Sequence, residues 1–142
     1  NGEKILQTGK HKNMTTFNSP DVIVNKSAED FFNLIGDLNN LKEVLPSEVT
    51  NFKSTVTTCS FKLSGMPELA LQIVEKREFS KLSLSSTKGQ VPFSLDCFIV
   101  DKGKQCQARL EINAELNFMM KMMVEKPLNQ FLIVLANKIE KL

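Results

Sequence analysis

The sequence predicts an α+β domain: one strand, two short helices, six antiparallel strands and a long C-terminal helix. Three observations carry that prediction. From about Glu48 to Asn117, apolar residues alternate with polar ones, the period of a sheet with one dry and one wet face. From there Met120, Val124, Leu128, Phe131, Leu135, Ile139 and Leu142 recur at steps of three and four, an amphipathic helical stripe. Ahead of Glu48, a capping pair at Ser27 and Asp30 and a stop at Pro46 bracket two short helices.

Residues 1–14 show no periodic pattern and are read as a flexible arm, a leader or an expression remnant, with residues 15–142 as a single domain. An extended stretch from Phe17 to Val24 opens the body, its Pro20 suited to an early or edge position. Phe31, Phe32, Leu34 and Ile35 give the first helix its apolar face, and Gly36 lies near its end. The second runs roughly from Leu38 to Leu45, and both are too short to stand alone. Strands follow at about 48–54, 57–64, 68–78, 81–88, 92–101 and 104–117. Pro127 inside the closing helix predicts a kink or a late helix start.

Turn residues set the expected register. A two-residue loop at Lys102-Gly103 pairs Ile99 with Cys106, Cys97 with Ala108 and Leu95 with Leu110. It also sets Asp96 against Arg109 on the wet face, an exposed ion pair of about 0.2–1 kcal/mol. The turn at Lys88–Val91 sets Leu84 against Leu95 and Leu82 against Cys97. Leu69, Leu71 and Ile73 alternate as expected, but Val74, Glu75, Arg77 and Phe79 break the phase. Two readings stay open there. A β-bulge near Val74 explains the switch; otherwise Glu75 or Arg77 points inward, which needs a partner or water.

Composition excludes several functions. Hydrophobic residues make up 42% and charged residues 24%, enough for a packed core. The one histidine, His11, lies in the unpatterned N-terminal segment, so Ser-His-Asp chemistry, Cys-His chemistry and His-rich metal sites are disfavoured. No catalytic residue, metal or cofactor is expected. No run approaches the ~18–20 apolar residues of a membrane span. Residues 1–14 carry Lys4, Lys10 and Lys12 against Glu3, while the body is formally neutral and lacks the basic stripe of a nucleic-acid binder. Cys59, Cys97 and Cys106 have no CxxC spacing and sit among alternating apolar residues, as free thiols of a reducing, cytoplasmic compartment do.

Three segments carry a family resemblance: SAEDFFNLIGDLNNLKEVLP at 27–46, the meander, and KMMVEKPLNQFLIVLANKIEKL at 121–142. Over residues 17–142 they resemble the helix-grip superfamily of START, Bet v 1-like and polyketide cyclase-like domains, often grouped as SRPBCC. The most diagnostic piece is Asp37-Leu38-Asn39-Asn40-Leu41 with Leu45-Pro46, similar to the family's turn between its two short helices. Val44 stands near where many members have Trp. The resemblance implies a curved seven-stranded sheet gripping the long helix, with a cavity between them. Such cavities hold lipids, sterols, polyketides, quinones or plant hormones, and fold alone does not choose among these.

A sheet curved around one helix leaves a concave apolar space. Its expected lining is Leu34 and Leu45 at the short-helix end, Phe61, Leu84, Phe93, Leu95 and Leu110 from the sheet, and Met119, Met120, Met122 and Met123 from the helix start. Methionine suits adaptable apolar surfaces, although a Met-rich helix start is also ordinary core. The expected mouth lies between Asp37–Pro46, Ser64–Pro67 and Met119–Met123. The leading function is binding or carriage of a hydrophobic small molecule, lipid, polyketide-like or quinone-like. The alternatives are a protein–protein adaptor with a filled core and an exposed apolar patch, or a cyclase- or hydrolase-like enzyme with Glu75, Arg77 or Asp96 turned inward. Cavity volume separates the first two: ~300 Å³ or more favours a ligand, a closed core favours interaction.

Overall fold

A computed structural model describes residues 14–63, 65–88 and 91–142. Alternation produces the longest strand, β8 (Gln105–Glu115), whose Cys106, Ala108, Leu110, Ile112 and Ala114 are all buried. Before it come β3 (Val49–Ser54), β4 (Thr58–Leu63), β5 (Leu69–Arg77), β6 (Lys81–Lys88) and β7 (Phe93–Lys102), an antiparallel meander in which each strand pairs with the next. The chain's first strands, β1 (Met14–Asn18) and β2 (Val22–Val24), close the far edge by pairing with β8. Between β2 and β3 lie α1 (Ala28–Ile35) and a 3₁₀ turn (Leu38–Glu43). The long helix, α2 (Phe118–Glu140), follows β8.

The expected first strand is thus two. Pro20 has no N–H to give the ladder, and the register moves by one residue between Asn18 opposite Glu111 and Val22 opposite Ala108. Ser19 bridges the gap. Its backbone N–H donates to the Leu110 carbonyl (2.8 Å), and its hydroxyl accepts from the Leu110 N–H (2.9 Å). The shift lets both Phe17 and Val22 face the core. Because β1 begins at Met14, the fold also takes in the last residue of the segment read as an arm; residues 1–13, with His11, lie outside the described residues.

The β6–β7 register is the expected one, Leu84 opposite Leu95 and Leu82 opposite Cys97, although Gly89 and Gln90 of its turn lie outside the described residues. The β7–β8 register is corrected by two residues: Lys102 pairs with Gln105, Ile99 with Ala108 and Cys97 with Leu110. The loop is therefore Gly103-Lys104. Gly103 adopts φ +81° at the first loop position, where a two-residue hairpin needs positive φ, and its N–H donates to Asp101 Oδ1 (2.8 Å). The bulge in β5 is present: Ile73 pairs with Leu84 but Glu75 with Ser83, and Val74 is exposed.

The second short helix is 3₁₀ rather than α and ends at Glu43. Helix α2 starts where Asn117 Oδ1 accepts from the Met120 N–H (2.8 Å), so Pro127 does not delay it. The helix continues through Pro127, whose missing N–H deprives the Met123 carbonyl of its usual partner.

Candidate functional site

The segment Asp37–Leu41 shows how local sequence shapes the site. Asp37 caps the 3₁₀ turn through the Asn39 N–H (3.0 Å), and Asn39 accepts from the Ser54 hydroxyl (2.6 Å). The Asn40 amide donates to the Leu34 carbonyl (2.9 Å), tying the turn to the end of α1. The Leu38 N–H reaches the Val56 carbonyl (2.9 Å) in the β3–β4 hairpin. With their backbone satisfied, Leu38 and Leu41 turn inward. Gly36 follows α1 at ordinary φ. Its constraint is space, since a Cβ there would meet the Phe32 carbonyl at 3.0 Å and Lys76 Nζ at 3.3 Å.

Leu38 and Leu41 help to wall a small apolar cavity of about 50 Å³ between the sheet and α2. Leu45, Phe61, Leu84, Leu95 and Leu110 line it, five of the residues expected from the sequence. Ile35, Leu71, Leu82, Phe131, Leu135 and Ile139 join them, and Cys97 is the one lining residue with an ionisable side chain. The stripe of α2 contained the last three; what pattern could not show is that the helix meets the cavity at its middle and end.

The remaining expected liners lie elsewhere. Leu34 is off the buried face of α1, which is Ala28, Phe31, Phe32 and Ile35 at helical spacing, and it is half-buried. Phe93 and Met120 pack partly buried against the core without reaching the cavity. Met119 and Met123 are 72% and 70% exposed, with Met122 and Phe118 open beside them. The first turns of α2 precede its buried stretch, which begins at Leu128.

Next to the cavity is an open groove of about 380 Å³ lined by Pro46, Glu48, Leu63, Lys126, Pro127, Gln130, Phe131 and Val134. It falls between the 3₁₀ turn exit and the end of β4 as expected for a mouth, but its helix side runs from Lys126 to Val134, past Met119–Met123. Ser64 of the expected rim lies outside the described residues. Phe131 belongs to both spaces, and its ring stacks on Phe61 with centroids 5.9 Å apart. Lys138 Nζ donates to the Leu45 carbonyl (2.9 Å), fastening the last turns of α2 to the groove's far side.

Charged candidates are not in the cavity. Glu75 and Arg77 stand on the outer face of β5 and pair with each other at 2.9 Å, with Lys81 Nζ 3.3 Å from Glu75. Hydrogen bonds from Lys81 and then Arg77 hold the Glu75 carboxyl below its ordinary range. The inward placement of these two residues is thereby corrected, the bulge at Val74 being the reason. The expected Asp96–Arg109 pair is corrected as well, because the shifted register sets Asp96 against Glu111. Asp96 is 8% exposed and accepts from the Ser83 hydroxyl across the strand pair. Arg109 lies over the Phe98 ring at 4.6 Å and bonds Asn18 (2.7 Å) and Glu111 (3.0 Å). The Asn113 amide, with Arg109, holds Glu111 low.

All three cysteines are free and buried. Burial pushes the Cys97 thiol up to about 12 and Cys59 up to about 11, and it raises Cys106 too, so none is a ready nucleophile. Among the described residues no three His, Cys, Asp or Glu side chains converge to hold a metal, and no helix is long and apolar enough to cross a membrane.

No family model matches the chain, and no curated protein matches it. Solved structures do. A START superfamily protein from Mycobacterium smegmatis superposes with TM-score 0.68 at 16% identity, over 90% of this chain and 94% of that one. A protein from Thermus thermophilus matches at 0.68 and 15% identity, over 89% and 95%. Norcoclaurine synthase from Thalictrum flavum, a point mutant in complex with a transition-state analogue, matches at 0.66 and 14% identity, over 90% and 92%. The chain therefore has the START/Bet v 1-like helix-grip fold.

Proposed function

We propose that this protein binds a hydrophobic small molecule between its sheet and α2, entered through the groove beside Phe131. The observation that carries the reading is the sharing of one side chain by two spaces: Phe131 walls both the apolar cavity and the open groove. The cavity alone, at about 50 Å³, is far below the ~300 Å³ of an ordinary ligand site. A ligand of that size must occupy the groove as well, swinging Phe131 off Phe61. Its apolar part would lie against Leu84, Leu95 and Leu110, and a polar end would meet Lys126, Gln130 or Glu48 at the rim.

The structural neighbours support a small-molecule reading: norcoclaurine synthase has been solved with dopamine and hydroxybenzaldehyde. Binding is favoured over catalysis because the cavity wall carries no acid or base beyond a thiol held protonated by burial. Three buried unpaired thiols support a reducing, cytoplasmic setting. The test is a titration with lauric acid followed by NMR. Signals of Leu38, Leu41, Leu45 and Phe131 should move before those of Arg109 and Phe98 on the outer face. Shifts confined to the outer face, or none up to the solubility limit, overturn the reading.

A further inference from the structure

The first turns of α2 carry four of the ten large apolar side chains that stand exposed among the described residues. Phe118, Met119, Met122 and Met123 are 77%, 72%, 65% and 70% exposed. A protein in water seldom leaves four large apolar side chains together unless something covers them. Met119, Met122, Met123 and Lys126 recur at i, i+3, i+4 and i+7, and Gln130 and Val134 of the groove continue that stripe at steps of four. The patch and the groove mouth thus lie along one face of one helix.

Charge identifies what covers it. Lys121 and Lys126 are exposed within the same turns, against Glu125 alone. Lys121 and Lys126 thus flank the apolar patch on the same turns of the helix. Apolar side chains to insert and lysines to hold anionic headgroups are the two signals of a reversible membrane contact. We infer that this end of α2 docks on an anionic lipid surface, with the groove mouth presented beside the bilayer. A second copy is the competing occupant, and the lipid-free oligomeric state separates it from the lipid surface. Residues 1–13 are a poor cover, being cationic themselves with only Ile5 and Leu6 as large apolar residues.

The chain has no Trp or Tyr, so Phe118→Trp gives a single reporter on an exposed position. Its emission should shift to the blue with vesicles of phosphatidylcholine and phosphatidylglycerol, and about tenfold less partition is expected on phosphatidylcholine alone or at high salt. Adding Met119→Ser and Met122→Ser should lower partition by about tenfold with unchanged circular dichroism, since neither side chain is core. An absent blue shift, partition indifferent to the serine substitutions, or equal partition on both vesicle types overturns the docking. So does lipid-free dimerisation that the serine substitutions abolish, which would assign the patch to a second copy. Lauric acid binding without vesicle binding fails this inference alone; vesicle binding without lauric acid binding fails the ligand reading alone.

Discussion

The two halves of α2 have similar apolar content and opposite relations to water. Between Leu128 and Ile139 the helix buries Leu128, Phe131, Leu132, Leu135, Ala136 and Ile139 against the sheet. Between Phe118 and Met123 it leaves Phe118 and three of four methionines in solvent. Apolar identity is thus a poor guide to burial along one helix. The sheet surface under the second half decides which turns are core, and the described residues give the first half no such cover. Side-chain chemistry differs in the same sense: defined-rotamer Leu, Ile and Phe fill the packed half, flexible Met fills the open one.

The contrast is broken most directly by Phe131→Ala. If the ring is core, chemical denaturation should show a loss of ~3–5 kcal/mol. A loss near 1 kcal/mol would place it beside open space, with the partition between cavity and groove already loose.

Alkaline titration tests the packed region without mutation. Cys97 is raised in the folded state, so its stabilising contribution is complete below the free thiol pKa of about 8.5 and is lost as pH climbs toward about 12. Melting followed between pH 8 and pH 10 should show stability falling by roughly 1.4 kcal/mol per pH unit from this thiol once the free value is passed. Cys97→Ala should make the fall shallower by that amount, leaving the share of Cys59 and Cys106, and an unchanged slope would place its origin elsewhere. The smallest effect is expected at Met122→Ala, within about 0.5 kcal/mol by the same denaturation measurement. A loss comparable to that of Phe131→Ala would show that the first half of α2 is covered in solution.

The antiparallel meander, its alternation and the β6–β7 register were legible in the sequence because each is a local matter of period and turn chemistry; the break of phase at Val74 was legible with them, but not which of its two readings held. The β7–β8 slip shows the limit of period alone. Moving by two residues keeps every side chain on its face, so Cys97 packs equally well opposite Ala108 or Leu110 as far as alternation can tell. Gly103 held the answer, since a positive φ at the first loop position makes the loop Gly103-Lys104 rather than Lys102-Gly103. That slip alone moved Asp96 from Arg109 to Glu111.

For the site, the sequence by itself determined that Phe61, Leu84, Leu95 and Leu110 share the inner face and that Phe131, Leu135 and Ile139 share a helical stripe, because periodicity sets facing. Only the tertiary structure decided how far along α2 the sheet reaches, and hence that Phe131 closes a small cavity while Met119 and Met123 stand open. It also decided that Asp96 is buried beneath its neighbours on the outer face and that Gly36 is needed for space rather than for a turn. Those outcomes depend on where separate elements come to rest against one another, a distance that no spacing within one element encodes.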